Sequence, residues 1–272
     1  MNSAEIYWLW AGLGSLGLAT LLAVRGVARG RLPEKPVLIC LATAVALLAM
    51  AIAVRWLRLG HGPFVNLFEY VLSQLFSLGF VFTIAYWRFP ALRPSAAVVL
   101  PLIWLLLGFW MLTLEPKASH LPATFENYWL WAHVAVGKIF LGMNLVAVGL
   151  AGVIMLRHAP VAARWFSTMS DDGDLDRLAW GFMMAAFIFH SLMLIAGAVW
   201  AQDAWGRYWA WDPLETSAFI TWLAMGLALH ARLTWRVPVW LSCVAVFVVF
   251  ALAFTTFFGI PFLSETAHKG AV

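Results

Sequence analysis

Eight apolar runs, each free or nearly free of charge and each close to the length that spans a bilayer, leave this chain few ways to fold. They cover residues 7–24, 36–54, 70–87, 94–114, 133–156, 178–201, 216–231 and 237–263, and Lys138 interrupts the fifth. Crossing about 30 Å of hydrocarbon takes roughly 20 helical residues, so these runs are expected to be membrane spans. Apolar residues make up 64% of the 272 and charged residues only 11%, far from the balance of a soluble domain. None of the runs alternates strictly between apolar and polar positions, which favours helices over a barrel. The expected fold is therefore an all-α integral membrane protein. It is a bundle of eight transmembrane helices forming one domain, residues 1–272, with the lipid bilayer as its solvent. No linker, low-complexity stretch or repeat divides it.

Basic residues set the expected orientation. With the loop between the sixth and seventh runs outside, Arg25, Arg29, Arg31, Lys35, Arg88, Arg93, Arg157, Arg164, Arg177, Arg232 and Arg236 collect inside. Arg55, Arg58, Lys117, Arg207 and Lys269 collect outside. That asymmetry satisfies the positive-inside rule and places both termini on the outer face. The net charge of +4 is then a matter of topology, and no nucleic-acid partner is read from it. Glu5 is the only charge before the first run, so a cleavable signal is not expected. The inner loop carries Asp171, Asp172, Asp174 and Asp176 around Gly173, reads as a solvated acidic linker, and lacks the later Glu of a calcium loop. Cys40 and Cys243 have no C-x-x-C partner and read as small apolar core residues.

The outer loop carries the most specific signal. Residues 200–216 read W-A-Q-D-A-W-G-R-Y-W-A-W-D-P-L-E-T, with Trp200, Trp205, Trp209 and Trp211 among small and polar residues. An interfacial aromatic belt uses one or two such rings per helix end, and Gly206 and Pro213 favour turns here. This density suits a flat aromatic shelf for a planar, apolar ligand. Asp212 and Glu215 are placed to cap or brace the seventh helix.

Histidine is costly within a bilayer, so each of the seven is weighed. His133 and His268 fall on the same face as the Trp-rich loop. Either they supply two axial imidazoles to a haem iron, or His133 is an interfacial polar residue and His268 belongs to a terminal tail. His230 and His190 lie at similar depths on the seventh and sixth runs. Either they share a second haem, or each makes an interhelical hydrogen bond. His120 and His133 do not share a helix, because Pro122 lies between them. His61 occupies an outer turn, and His158 reads as a headgroup-level residue.

The run W-G-R-Y-W-A-W-D-P-L-E-T resembles the signature of tryptophan-rich haem-handling membrane proteins. Its D-P-x-E-T ending is similar to the CcsA (ResC) family of System II cytochrome c synthase subunits. Further stretches agree: G-H-G-P-F-V-N-L-F-E before the third helix, Trp131-Ala132-His133-Val134, and F-F-G-I-P-F-L-S-E-T-A-H near the carboxy terminus. The resemblance covers nearly the whole chain. It implies that haem b is substrate and bound ligand, ligated at the outer face by His133 and His268 on a platform of Trp205, Gly206, Tyr208, Trp209, Trp211 and Asp212. It implies that His230 ligates a haem within the membrane, with the other ligand from a CcsB-type membrane subunit and His190 as the alternative within this chain. It further implies a holocytochrome c synthase subunit that joins haem to the C-x-x-C-H of apocytochrome c without a protein nucleophile, in a bacterial cytoplasmic membrane in preference to a thylakoid. The alternative is a haem carrier of the same motif family that forms no thioether bond. One departure stands out: Leu214 replaces the usual Lys of the motif, leaving Arg207 as the candidate contact for a propionate.

Overall fold

The structure, a computed structural model, describes residues 4–62, 64–160, 162 and 164–260. Eight long helical elements follow one another: α1 (Glu5–Ala28), α2 (Glu34–Leu59), α3 (Leu67–Arg88), α4 (Pro90–Met111), α5 (Tyr128–Arg157), α6 (Asp172–Trp205), α7 (Pro213–Thr234) and α8 (Val239–Phe258). There is no strand among the described residues. Seven of these helices are long and apolar enough to cross a membrane, and α7 is the exception. Its polar side chains, among them Thr216, Ser217, Thr221, His230 and Arg232, dilute a 22-residue helix that is otherwise of spanning length. The eighth expected run extends past Phe258, where α8 ends, and its last residues lie outside the described residues.

Local chemistry sets the boundaries. Asn66, Asn127, Asp171 and Asp212 each accept a hydrogen bond from a backbone N–H in the first turn of α3, α5, α6 and α7, the ordinary N-cap arrangement. Gly60 and Gly206 end α2 and α6 in the left-handed conformation, at φ 79° and 73°, which a residue without Cβ adopts without strain. In α4 the order changes from a 3-10 turn at Pro90–Ser95 through α-helix to a π-helical turn at Trp104–Gly108, where the Trp104 ring folds over Gly108.

The helix at the centre is α5. Gly142, Gly149 and Gly152 lie against Val81, Val99 and Val98, and a Cβ at any of them would come within 2.8 Å of a valine side chain. Small residues let neighbouring helices approach closely where no water is present to drive them together, so these contacts bring α3 and α4 onto α5.

Polar contacts tie the helix ends into two clusters. At the end that carries the Trp-rich loop, Arg55 of α2 donates to Glu69 of α3 at 2.7 and 3.0 Å, to Glu5 of α1 at 3.3 Å and to the Lys117 carbonyl at 2.5 Å. Arg58 also reaches Glu5, and Ser119 donates to Glu69. Arg55, Glu5 and Glu69 are all buried to 1% exposure or less. At the opposite end Arg93 pairs with Glu34, Arg157 with Asp172 and Arg232 with Asp176. The aspartates around Gly173 are consequently not a linker but the start of α6, with Asp171 and Asp174 exposed to solvent. Asp171 caps α6, Asp172 also meets His158, Asp174 pairs with Arg177 and Asp176 is buried. Cys243 lies in the apolar core as expected.

Candidate functional site

A cavity of about 210 Å³ opens at the Trp-loop end between α3, α5, α6, α7 and α8. Its wall is mostly apolar, drawn from Phe64, Leu130, Val134, Met193, Leu194, Trp200 and Phe257. His133, Lys138, Tyr208, Trp209 and Glu215 add polar groups to that wall.

The seat of His133 is built by three neighbours. Its Nδ1 lies 2.9 Å from the Met193 carbonyl. A carbonyl only accepts, so Nδ1 is the donor, and in the neutral ring Nε2 is then the lone-pair nitrogen, one of the two tautomers in which an imidazole ligates a metal. Trp200 stacks at 6.2 Å and 30° and is itself anchored by donating from Nε1 to the Thr124 carbonyl at 2.9 Å. The third neighbour is Gly197, where a Cβ would sit 2.7 Å from His133 Nδ1. Gly197→Ala is therefore expected to displace the imidazole and to cost about 1–3 kcal/mol of stability through overpacking. Gly181→Ala, on the same helix with nothing within 4 Å of its Cβ position, is expected to be close to neutral. Thermal unfolding of both variants in detergent checks this, and equal melting temperatures would remove Gly197 from the seat.

The tryptophan segment is not one flat shelf. Trp200 and Trp205 belong to the last turns of α6 and lie 4.9 Å apart at 60°, Trp200 being 3% exposed. Only residues 206–212 form the loop, and Trp209 and Trp211 meet edge to face at 5.6 Å and 84°. Trp209 and Tyr208 line the cavity, and the buried Trp209 Nε1 has no hydrogen-bond acceptor in the described structure. Trp211 stands outward, 66% exposed, with φ at 59°. A left-handed bulky residue is strained by about 1–3 kcal/mol, and such strain concentrates at functional loops. Gly206 serves as the helix cap, and Arg207 is exposed and outside the cavity wall. Asp212 caps α7 by accepting from Glu215 N at 2.8 Å, while Glu215 accepts from Ala210 N at 2.7 Å. These two carboxylates brace the loop, as their positions around Pro213 suggested.

The other histidines separate. His190 is buried on α6 and stacks on Phe140 of α5 at 4.2 Å and 13°. His230 is exposed on α7, near Trp235 at 6.3 Å. The two rings thus face different neighbours, one inside the bundle and one on the surface of α7, and His190 makes no hydrogen bond through Nδ1 among the described residues. His61 packs its two ring nitrogens against the Gly62 and Ser119 carbonyls at 3.0 and 2.9 Å. His268 lies outside the described residues.

Sequence reasoning missed the cavity's inner wall. Tyr70, Gln74, Lys138, Met193 and Thr256 come from four helices, and only Lys138 signalled itself, as a charge within an apolar run. An apolar slot with an imidazole in a ligating tautomer, aromatic walls and a cation fits the chemistry of haem.

A profile of the family described as Cytochrome C assembly protein matches residues 64–268, which take in the cavity and the Trp-rich loop. The chain belongs to the cytochrome c assembly protein family. Cytochrome c biogenesis protein CcsA of Prochlorococcus marinus strain SARG is 30% identical over 265 residues, covering 85% of this chain and 82% of that protein. The CcsA protein of Guillardia theta is 30% identical over 251 residues, covering 82% and 81%. That of Chlamydomonas reinhardtii is 27% identical over 230 residues, covering 82% of this chain but only 65% of its own length. Membership in this family, with seven helices long and apolar enough to span, makes the chain a multi-pass membrane protein with a role in cytochrome c maturation.

Proposed function

We propose that this protein brings haem b to the outer face of the membrane and presents it in the cavity for thioether attachment to the C-x-x-C-H of an apocytochrome c. The observation that carries the reading is His133, held by the Met193 carbonyl with Nε2 as the lone-pair nitrogen in an apolar, aromatic wall. His268 is the other axial ligand in this reading, and the Trp-rich loop faces outward on the periplasmic side of a bacterial cytoplasmic membrane. His230, exposed on α7, ligates a haem within the membrane together with a histidine from a CcsB-type subunit. Spanning by all eight helices, α7 included, places both chain ends outside.

The chemistry asked of the residues is positioning. In thioether formation a cysteine sulfur bonds to one carbon of a vinyl group and the thiol proton goes to the other carbon, so no oxidant is consumed. The barrier is then chiefly one of orientation, which a rigid aromatic cavity lowers by holding the macrocycle against the incoming thiols. His133 and Trp209 orient the substrate, and the apolar lining excludes water. Neither Cys40 nor Cys243 lines the cavity, and in this reading the chain supplies no nucleophile.

The test is coexpression of the chain with a CcsB-type subunit and a secreted C-x-x-C-H reporter. The expected result is haem that stays on the reporter through denaturing electrophoresis and depends on this chain. A reporter that acquires only dissociable haem would make the protein a haem carrier instead.

A further inference from the structure

Lys138 is the one cation of the cavity wall among the described residues, and the Trp-rich loop does not account for it. It lies five residues beyond His133 on α5, about 7.5 Å farther along the helix axis. Its Nζ donates to Ser73 Oγ at 2.9 Å and lies 6.0 Å from the centroid of the Tyr70 ring. No carboxylate pairs with it among the described residues. Glu215, also on the wall, accepts from the Ala210 N–H at the loop end. An ammonium inside an apolar helix is costly, and such residues mark substrate sites or meet a counter-charge. A neutral serine hydroxyl does not supply that charge. Leu214 lines the same cavity and leaves the α7 side of the wall without a cation, while Arg207 lies outside it. None of the described residues supplies it, and the counter-charge this arrangement suits is one carried in by the ligand, on an apolar molecule that also reaches His133.

We propose that Lys138 is the carboxylate seat of the cavity, binding a propionate of the porphyrin whose iron faces His133 and whose edge meets Trp209. The porphyrin thus enters with at least one carboxylate directed toward the membrane interior. This rests on the reading of the cavity as a haem site. A charge-assisted hydrogen bond made away from water is stronger than a neutral one, so the seat contributes both affinity and a fixed rotation of the macrocycle about its axis. That rotation determines which vinyl groups face the entering cysteines.

The purified full chain in detergent is titrated with haemin and with haemin dimethyl ester, whose carboxylates are blocked, following the Soret band and quenching of tryptophan fluorescence. Wild-type protein is expected to bind haemin about tenfold more tightly than the ester, a comparison that needs no variant. Lys138→Gln is expected to lose that preference by weakening haemin binding about tenfold while leaving the ester unchanged, and Lys138→Arg to retain it. Equal binding of haemin and ester by the wild type, or an equal loss for both ligands in Lys138→Gln, would overturn the carboxylate seat while leaving the cavity a haem site. Failure of the wild type to bind either porphyrin would overturn the haem site itself, and the seat with it.

Discussion

Arg55→Met is expected to be the most destabilising single change, costing about 3–5 kcal/mol and leaving little protein in the membrane. The guanidinium joins Glu69 of α3, Glu5 of α1 and the Lys117 carbonyl, and its removal strands two buried carboxylates at the Trp-loop end. Such a loss is much larger than the net worth of the pair, because most of it is the penalty of a buried charge without a partner. Arg58 makes a sharper comparison. It meets the same Glu5, but its side chain is 40% exposed, so Arg58→Ala is expected to cost about 1 kcal/mol or less. Combining Arg55→Met with Glu5→Gln and Glu69→Gln removes the stranded charges and is expected to recover part of the loss. Steady-state membrane levels and melting of the purified variants decide it. An Arg55→Met protein that accumulates and melts like the wild type would show that the network holds nothing together.

His133→Gly is expected to leave the fold intact and to lower cytochrome assembly by about tenfold or more, the scale on which even outer-shell changes weaken a metal site. The side chain is partly buried in a cavity wall, and its removal strands no buried carboxylate as that of Arg55 does. Exogenous imidazole, fitting the vacated space, is expected to restore part of the low-spin haem spectrum and of the activity. A variant with full activity and an unchanged spectrum would take His133 off the iron. The two substitutions also separate cleanly, since the first acts through protein level and the second through haem ligation at constant level.

The cap residues and turns of the Trp-rich loop were legible because their signals are local. Gly206 ends a helix since it reaches φ 73° without strain, and Asp212 followed by Pro213 starts the next one. Even so, reading 200–216 as one loop was mistaken. Trp200 and Trp205 continue α6 for a further turn, because the Ala-rich stretch before Gly206 has nothing to stop a helix. The similar depths of His190 and His230 suggested a shared haem, yet depth along a helix says nothing about direction around it. Once α6 packs on α5, the His190 ring is committed to Phe140.

What the sequence determined by itself is the solvent and the register of the chain: apolar runs of spanning length, polar and glycine breaks between them, and a Trp-rich segment between the sixth and seventh. Hydropathy adds along the chain, so a bilayer reads it without knowing which helices touch. Tertiary structure alone decided the partners. It brought Glu5, Arg55 and Glu69 into one buried network, turned the Met193 carbonyl and Gly197 into the seat of His133, and placed Lys138 in the same cavity wall. Glu5 and Arg55 are 50 residues apart and His133 and Met193 are 60 apart, so their meeting depends on the rotation and close approach of whole helices. Small residues and packing set that rotation, and no local pattern in the chain records it.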